Sequence, residues 1–86
     1  MVVIDGFIEV HRGVRIMPGV TIGVRDGFRG PTIERNVRIG TGAKVLGAVT
    51  VGRGARIGAN SVVIDDVPAG ATVVGIPARI VRLKTP

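Results

Sequence analysis

The sequence predicts an all-β fold in which one chain is wound into stacked coils of short strands. A helix repeats every 3.6 residues and a half-buried strand alternates, whereas aliphatic residues here return at every sixth position. A period of six is typical of a solenoid, in which each repeat buries its apolar side against the next repeat. The residues of this first series are Ile4, Val10, Ile16 and Ile22, and then Ile33, Ile39, Val45, Val51, Ile57 and Val63.

A second series supports the same fold, because it follows the first by four positions. If three repeats close one coil, residues 18 positions apart become vertical neighbours. We therefore predict that Ile4 stacks on Ile22, Ile33 on Val51, Ile39 on Ile57 and Val45 on Val63. β-Branched side chains suit such a pleated surface, and small side chains suit its corners. The second series comprises Ile8, Val14 and Val20, and then Val37, Ala43, Val49, Ala55, Ser61 and Val67.

Two segments interrupt the period of six. Residues 24–32 read VRDGFRGPT, and eleven positions separate Ile22 from Ile33 where six are expected. This composition predicts a protruding loop over 24–32. The residues from Asp65 to Gly70 have the composition of an ordinary turn. A strand should follow, then a tight turn at Gly-Ile-Pro and a short C-terminal arm over 76–86. The organisation expected is one domain, 1–86.

Length and composition limit the function classes. A chain of 86 residues is marginal as an isolated domain, and it contains no Cys for disulfides. Self-association is the common remedy for such small scaffolds. No stretch approaches the ~20 apolar residues of a membrane span, and the N-terminus lacks a signal-peptide pattern. We therefore expect a cytoplasmic protein with no membrane partner.

The charge of the chain favours an anionic ligand. The net charge is +6, from 12 Lys+Arg and 6 Asp+Glu. Phe7 and Phe28 are the only aromatic residues, and the arginines are spread through the repeats. Nucleic acid is therefore not an expected partner, although a structural or nucleic-acid-binding trimer is an alternative. No metal is expected either, because a catalytic zinc site usually takes three protein ligands and the chain has one His.

Three motifs carry a resemblance to a known family: IGTGAKVLG, VGRGARIGANSVV and the ending DVPAGATVVGIPARIV. From residue 30 to residue 81 the chain resembles the C-terminal part of the hexapeptide-repeat acyltransferases, and most of all the serine O-acetyltransferases. A weaker resemblance extends back to Val2. It implies a left-handed parallel β-helix, a homotrimer, and acetyl-CoA bound in the cleft between neighbouring subunits as the cosubstrate.

The resemblance also implies positions for the cofactor. In the family, pantetheine follows a coil edge and bonds to the backbone at a small residue after Ile-Gly. These positions are Thr41 and Ala59 here, 18 apart as stacking requires. The residues that we expect around the cofactor are Thr41, Gly58, Ala59, Arg56, Gly75, Pro77 and Arg79. Arg35 and Arg53, like Arg38 and Arg56, are also 18 apart, and phosphate groups would relieve the repulsion of such stacked charges.

Catalytic candidates are few. Acetyl transfer to a hydroxyl group needs a base, and histidine is the usual one. The family carries one His in an Asp-His-Gly/Ala-Thr-Gly segment, which this sequence does not contain, and a second His before a Pro, where Gly30 stands here. The candidates within the chain are His11, which we expect to point outward at a corner, and Asp26 in the loop.

Two functional hypotheses follow from these residues. The first is an acetyl-CoA-dependent acyltransferase, similar to serine O-acetyltransferase, that acts on a small hydroxyl or amine acceptor. The second is a non-catalytic relative, a CoA-binding or structural homotrimer without the family's catalytic His. The sequence names no acceptor.

Overall fold

The computed structural model describes residues 3–4, 7–25, 27 and 29–83, and every regular element among them is a β-strand. No segment of this part of the chain forms a helix that could cross a membrane. The predicted all-β solenoid is confirmed. The strands are β1 Val3–Ile4, β2 Phe7–Val10, β3 Arg15–Ile16, β4 Thr21–Gly23, β5 Arg29–Ile33, β6 Arg38–Ile39, β7 Lys44–Leu46, β8 Thr50–Val51, β9 Arg56–Ile57, β10 Val62–Val63, β11 Thr72–Gly75 and β12 Ala78–Arg82.

These strands form three sheets, which are the three sides of the solenoid, and every pairing except β11–β12 is parallel. The first sheet has the order β1-β4-β7-β10, the second β2-β5-β8, and the third β12-β11-β9-β6-β3. The chain visits the sheets in turn. The first corner joins the first sheet to the second and comprises the segments 24–28, 47–49 and 64–66. The second corner joins the second sheet to the third and comprises 11–14, 34–37, 52–55 and 68–71. The third corner joins the third sheet to the first and comprises 17–20, 40–43 and 58–61.

The pairing register confirms the predicted stacks of aliphatic residues. Ile4 pairs with Ile22, and Val45 pairs with Val63, both in the first sheet. Ile33 pairs with Val51 in the second sheet, and Ile39 with Ile57 in the third. Among the described residues, fifteen hydrophobic residues form one buried cluster. It includes seven members of these stacks, each at most 3% exposed: Ile22, Ile33, Ile39, Val45, Val51, Ile57 and Val63. Burial of these two series is the main stabilising contribution to the fold.

The corners need residues that tolerate a left-handed backbone. At the second corner, Gly13, Asn36, Gly54 and Gly70 have φ between 61° and 73°. At the third corner, Asn60 has φ of 59° beside two glycines. Asparagine is the non-glycine residue best suited to this region, because its short polar side chain bonds locally. These columns of Gly and Asn let the chain turn sharply after each strand of two or three residues.

The structure corrects the predicted loop over 24–32. Arg29–Ile33 is strand β5, which pairs with β2 through Phe7–Arg29, Glu9–Thr32 and Val10–Ile33. The excursion from the coil therefore ends before Arg29. Strand propensity is low in this Gly-Pro sequence, so β5 owes its conformation to pairing with both neighbours, β2 and β8.

The second interruption and the C-terminal arm are also more regular than predicted. Val67, within the expected turn, is buried and forms a parallel bridge with Val51. The turn shortens this coil by two residues, so Val73 pairs with Ile57 at a separation of 16. Within the arm predicted over 76–86, Ala78–Arg82 forms β12, which pairs antiparallel with β11.

Candidate functional site

Thr41, Ala59 and Gly75 lie on successive coils at the third corner. Asn60 donates its backbone N–H to the carbonyl of Thr41 at 2.8 Å, which fixes Ala59 beside Thr41. Val73 pairs with Ile57, so Gly75 continues the same column. Thr41 and Ala59 are exposed, and the N–H group of neither donates to another described residue. We call this column the turn edge. Thr41 and Ala59 offer two backbone donors on neighbouring coils to a long, thin ligand.

Close contact between coils is required at the turn edge. A Cβ atom on Gly40 would lie 2.7 Å from the backbone nitrogen of Ala59 and 2.9 Å from the carbonyl carbon of Gly58. A Cβ atom on Gly58 would lie 2.7 Å from a methyl group of Val74. Only glycine therefore permits this coil spacing at both positions, which is a structural reason for the repeated Ile-Gly pair.

The C-terminal hairpin closes the lower end of the turn edge. Gly75, with φ of 104°, donates its N–H to the hydroxyl oxygen of Ser61 at 3.2 Å. Ser61 is 1% exposed, and its hydroxyl group joins the last full coil to the hairpin. Pro77 and Arg79 are exposed in the hairpin, and Arg56 is exposed on the third sheet, three residues before Ala59. All seven predicted cofactor positions thus lie on the third sheet, at its corner or in the adjoining hairpin.

A second feature is an open cleft of about 870 Å³ where β2 and β5 leave the first corner. Phe7 forms one wall and is 77% exposed. Arg29 and Glu9 contribute opposite charges to the lining, and the remaining residues are apolar or small. We call this the Arg29 cleft. Its lining comprises Phe7, Ile8, Glu9, Arg29, Gly30, Thr32 and Ala48.

Gly30, at the position of the family's second histidine, is buried in the floor of the cleft. A Cβ atom there would lie 2.6 Å from Cγ1 of Ile8 and 3.3 Å from the carbonyl oxygen of Phe7. A side chain at residue 30 therefore requires the side chain of Ile8 to move. A base for the cleft must come from another residue.

His11 lies next to the cleft rather than in its lining. Its Nε2 atom is 2.8 Å from Oε2 of Glu9, and both side chains are largely exposed. The prediction that His11 points outward agrees with this exposure. Glu9 lines the cleft, so the His11–Glu9 contact places the chain's only histidine beside the Arg29 cleft. The other catalytic candidate, Asp26, lies outside the described residues. No cluster of three metal-ligating side chains occurs in the described part of the chain.

Sequence reasoning did not identify the cleft. Glu9 and Arg29 are 20 positions apart, and the excess residues of the loop break the period that would have aligned them. The register of β2 on β5, with Phe7 opposite Arg29 and Glu9 opposite Thr32, brings them to the same wall. The only sign of the cleft in the sequence was a pair of opposite charges, Glu9 before the loop and Arg29 after it.

Comparison with known proteins relates the chain to hexapeptide-repeat transferases and to serine acetyltransferases. The family described as bacterial transferase hexapeptide (six repeats) matches residues 30–65. A serine acetyltransferase of Bacillus licheniformis is 55% identical over 83 residues, which cover 93% of this chain and 38% of that protein. The serine acetyltransferase of Mycobacterium tuberculosis is 46% identical over 88 residues, covering 99% of this chain and 38% of the relative.

Solved structures show the same likeness. A serine acetyltransferase in complex with cysteine superposes with a TM-score of 0.89 at 45% identity, over 94% of this chain and 35% of that one. A serine acetyltransferase in complex with CoA gives 0.83 at 42% identity, over 93% and 37%. The chain therefore spans somewhat more than a third of the length of these four relatives.

Proposed function

Because the chain carries the hexapeptide repeat of bacterial transferases and is similar to serine acetyltransferases over most of its length, we propose that it acts as a CoA-dependent acyltransferase unit. In this proposal the turn edge holds the pantetheine arm of acetyl-CoA, with hydrogen bonds to the backbone of Thr41 and Ala59. Gly58, Gly75 and Pro77 shape the edge, and Arg56 and Arg79 supply positive charge near it. The observation that carries the proposal is the pair of exposed small residues Thr41 and Ala59 on consecutive coils, whose N–H groups donate to no other described residue.

The acceptor is proposed to be a small amino acid with a hydroxyl group, and it binds in the Arg29 cleft. A guanidinium group recognises a carboxylate through paired hydrogen bonds, and Glu9 would attract an ammonium group. Serine carries both groups. Solved relatives hold serine or cysteine, which agrees with this chemistry. The proposed location is the cytoplasm, with no membrane partner.

The arrangement of the two features favours a homotrimer. The turn edge lies at the third corner and the Arg29 cleft at the first, on different corners of a solenoid about 21 Å across. A single chain would therefore hold its cofactor and its acceptor at different corners. In a threefold assembly, the turn edge of one subunit would face the cleft of the next, and the thioester would meet the acceptor there.

We propose His11 as the general base of this mechanism. The His11–Glu9 pair is the one histidine–carboxylate contact in the described structure, and it borders the cleft. In this role His11 would take the proton of the acceptor hydroxyl group while Glu9 orients the imidazole. The hydroxyl oxygen would then attack the thioester carbonyl, and the CoA thiolate would leave and recover a proton.

Thiol release from acetyl-CoA with L-serine, measured with a disulfide reagent, tests the proposal. The 86-residue chain should show turnover that saturates with both substrates. Arg29→Gln should raise KM for serine at least tenfold with little change in KM for acetyl-CoA, because the carboxylate contact is lost. Lys44→Gln, which removes an exposed cation from the first sheet, is the matched control and should not change either constant. The absence of thiol release with a broad panel of hydroxyl and amine acceptors would overturn catalysis.

A non-catalytic CoA-binding trimer is the second candidate, and Gly30 favours it. Gly30 stands where the family carries a histidine, and its packing against Ile8 favours a residue without a side chain. This alternative predicts that CoA raises the unfolding midpoint although no thiol is released. Turnover that is lost in His11→Ala, with CoA binding retained, would refute the alternative and support His11 as the base.

A further inference from the structure

The coil register gathers six arginines that the sequence disperses. Arg15 pairs with Arg38, and Arg38 pairs with Arg56, so three exposed guanidinium groups form a column on the third sheet. A second column runs along the adjoining second corner. There the carbonyl oxygens of Arg12, Arg35 and Arg53 each accept an N–H from the next coil, at 2.9–3.1 Å. We call these two columns of three residues the arginine grid.

The grid has little internal compensation of charge. Neighbouring coils lie roughly 4.8 Å apart, and stacked like charges at that spacing are destabilising. Among the described residues, the only basic and acidic side chains within salt-bridge distance are those of His11 and Glu9. Glu34 lies beside Arg35, but its Oε1 atom accepts the backbone N–H of Arg53 at 2.9 Å. In the structure as described, no guanidinium of the grid is paired with a carboxylate.

The third sheet extends the positive surface beyond the grid. Thr72 follows Arg56 in register, and Arg82 pairs with Thr72 on the C-terminal strand. A cleft of about 140 Å³ lies between these side chains, and Gly54 and Gly70 complete its lining. Two guanidinium groups and a hydroxyl group around a small cleft are suited to a phosphate, because guanidinium binds its oxygens in pairs.

We propose that the arginine grid and the Arg56–Arg82 cleft form a binding site for a chain of phosphate groups, of the inorganic polyphosphate type. Such a chain carries a charge on every unit and no bulky substituent. It can therefore run along successive coils and contact guanidinium groups from both columns. Each contact releases counterions, and linked contacts strengthen one another. The site does not depend on acyl transfer, because most of the grid lies away from the turn edge.

Nucleic acid fits the same surface less well. Proteins that bind single strands without sequence preference combine a basic groove with aromatic side chains that stack on bases. None of the described residues of the grid or its cleft is aromatic, and Phe7 lies at the Arg29 cleft instead. A ligand without bases loses nothing on such a surface.

Isothermal titration calorimetry of the 86-residue chain with medium-length polyphosphate tests the proposal. Arg35→Gln combined with Arg38→Gln removes the central pair of the grid. We expect this double variant to bind at least about tenfold more weakly, with the slope of log affinity against log salt reduced by about two. Arg25→Gln combined with Lys44→Gln removes the same charge elsewhere and should bind within twofold of the parent chain.

Further variants and a second ligand serve as controls for this experiment. Arg35→Lys combined with Arg38→Lys keeps the charge, and we expect an intermediate affinity because paired hydrogen bonds are lost. Circular dichroism checks that every variant is folded, and Arg12→Gln with Arg15→Gln repeats the test on the next coil if the first variant unfolds. No binding of polyphosphate at low salt would overturn the proposal. So would equal losses in the grid and control variants, or tighter binding of single-stranded DNA with an equal number of phosphates.

Discussion

Replacement of Gly40 by alanine is the most direct test of the coil spacing. The new Cβ atom would approach three backbone atoms of the next coil, at 2.7 Å from the nitrogen of Ala59 and 2.9 Å from the carbonyl carbon of Gly58 and the oxygen of Ile57. Ordinary contacts begin near 3.4 Å, so two coils held by a ladder of hydrogen bonds must separate by several tenths of an ångström. Overpacking of this kind costs about 1–3 kcal/mol, and rigid backbone neighbours favour the upper end.

Gly54→Ala is the matched control for this prediction. Gly54 has φ of 70° and no atom within 4 Å of a built Cβ, so alanine there suffers only the left-handed backbone conformation. That conformation costs roughly 1–2 kcal/mol. Because the chain has neither Trp nor Tyr, unfolding in urea should be followed by far-ultraviolet circular dichroism at one protein concentration. The coil-spacing argument is refuted if Gly40→Ala is as stable as Gly54→Ala, or more stable.

Substitutions at three further positions address other features. Asn36→Gly should leave the unfolding midpoint nearly unchanged, whereas Asn36→Ala should cost about 1–2 kcal/mol because alanine resists the left-handed region; equal stability of the two variants would contradict this. Ser61→Ala should lower the free energy of unfolding by about 1 kcal/mol, since the N–H of Gly75 loses its acceptor, and hydrogen exchange at Gly75 should accelerate; unchanged exchange would show that the bond is unimportant. Ala59→Leu, at an exposed position on the turn edge, should keep the parent stability but abolish most of the CoA-induced rise in unfolding midpoint; an undiminished rise would remove the turn edge as the cofactor site.

The period of six predicts the core of this fold in detail. The stacks Ile39–Ile57 and Val45–Val63 follow from counting 18 residues, and both occur in the register. Such counting succeeds because each coil contacts only its neighbours, so local pattern and tertiary contact carry the same information.

Counting fails where the coil length changes. Across the loop, Ile22 pairs with Val45 at a separation of 23, and beyond Val63 the separation falls to 16. The sequence shows that residues are added, but not where they leave the coil, since Arg29–Ile33 resembles a loop in composition and is a strand by pairing. For the same reason the sequence does not predict that Arg15 pairs with Arg38, or that Glu9 lines the Arg29 cleft. The site residues with an 18-residue spacing, Thr41 and Ala59, could be aligned in advance.

All variation in coil length falls at the first corner. The five added residues lie between Ile22 and Ile33, and the two lost residues lie between Val63 and Val67, whereas the other two corners keep six residues from one stacked side chain to the next. Segments of different length can therefore be exchanged at that corner without shifting a single rung of the ladder. The solenoid thus has one corner of variable length, the first, where the Arg29 cleft opens. The third corner, where the backbone donors Thr41 and Ala59 lie, has a constant length. Evolution or design can therefore change which ligand the cleft accepts while the third corner keeps its spacing.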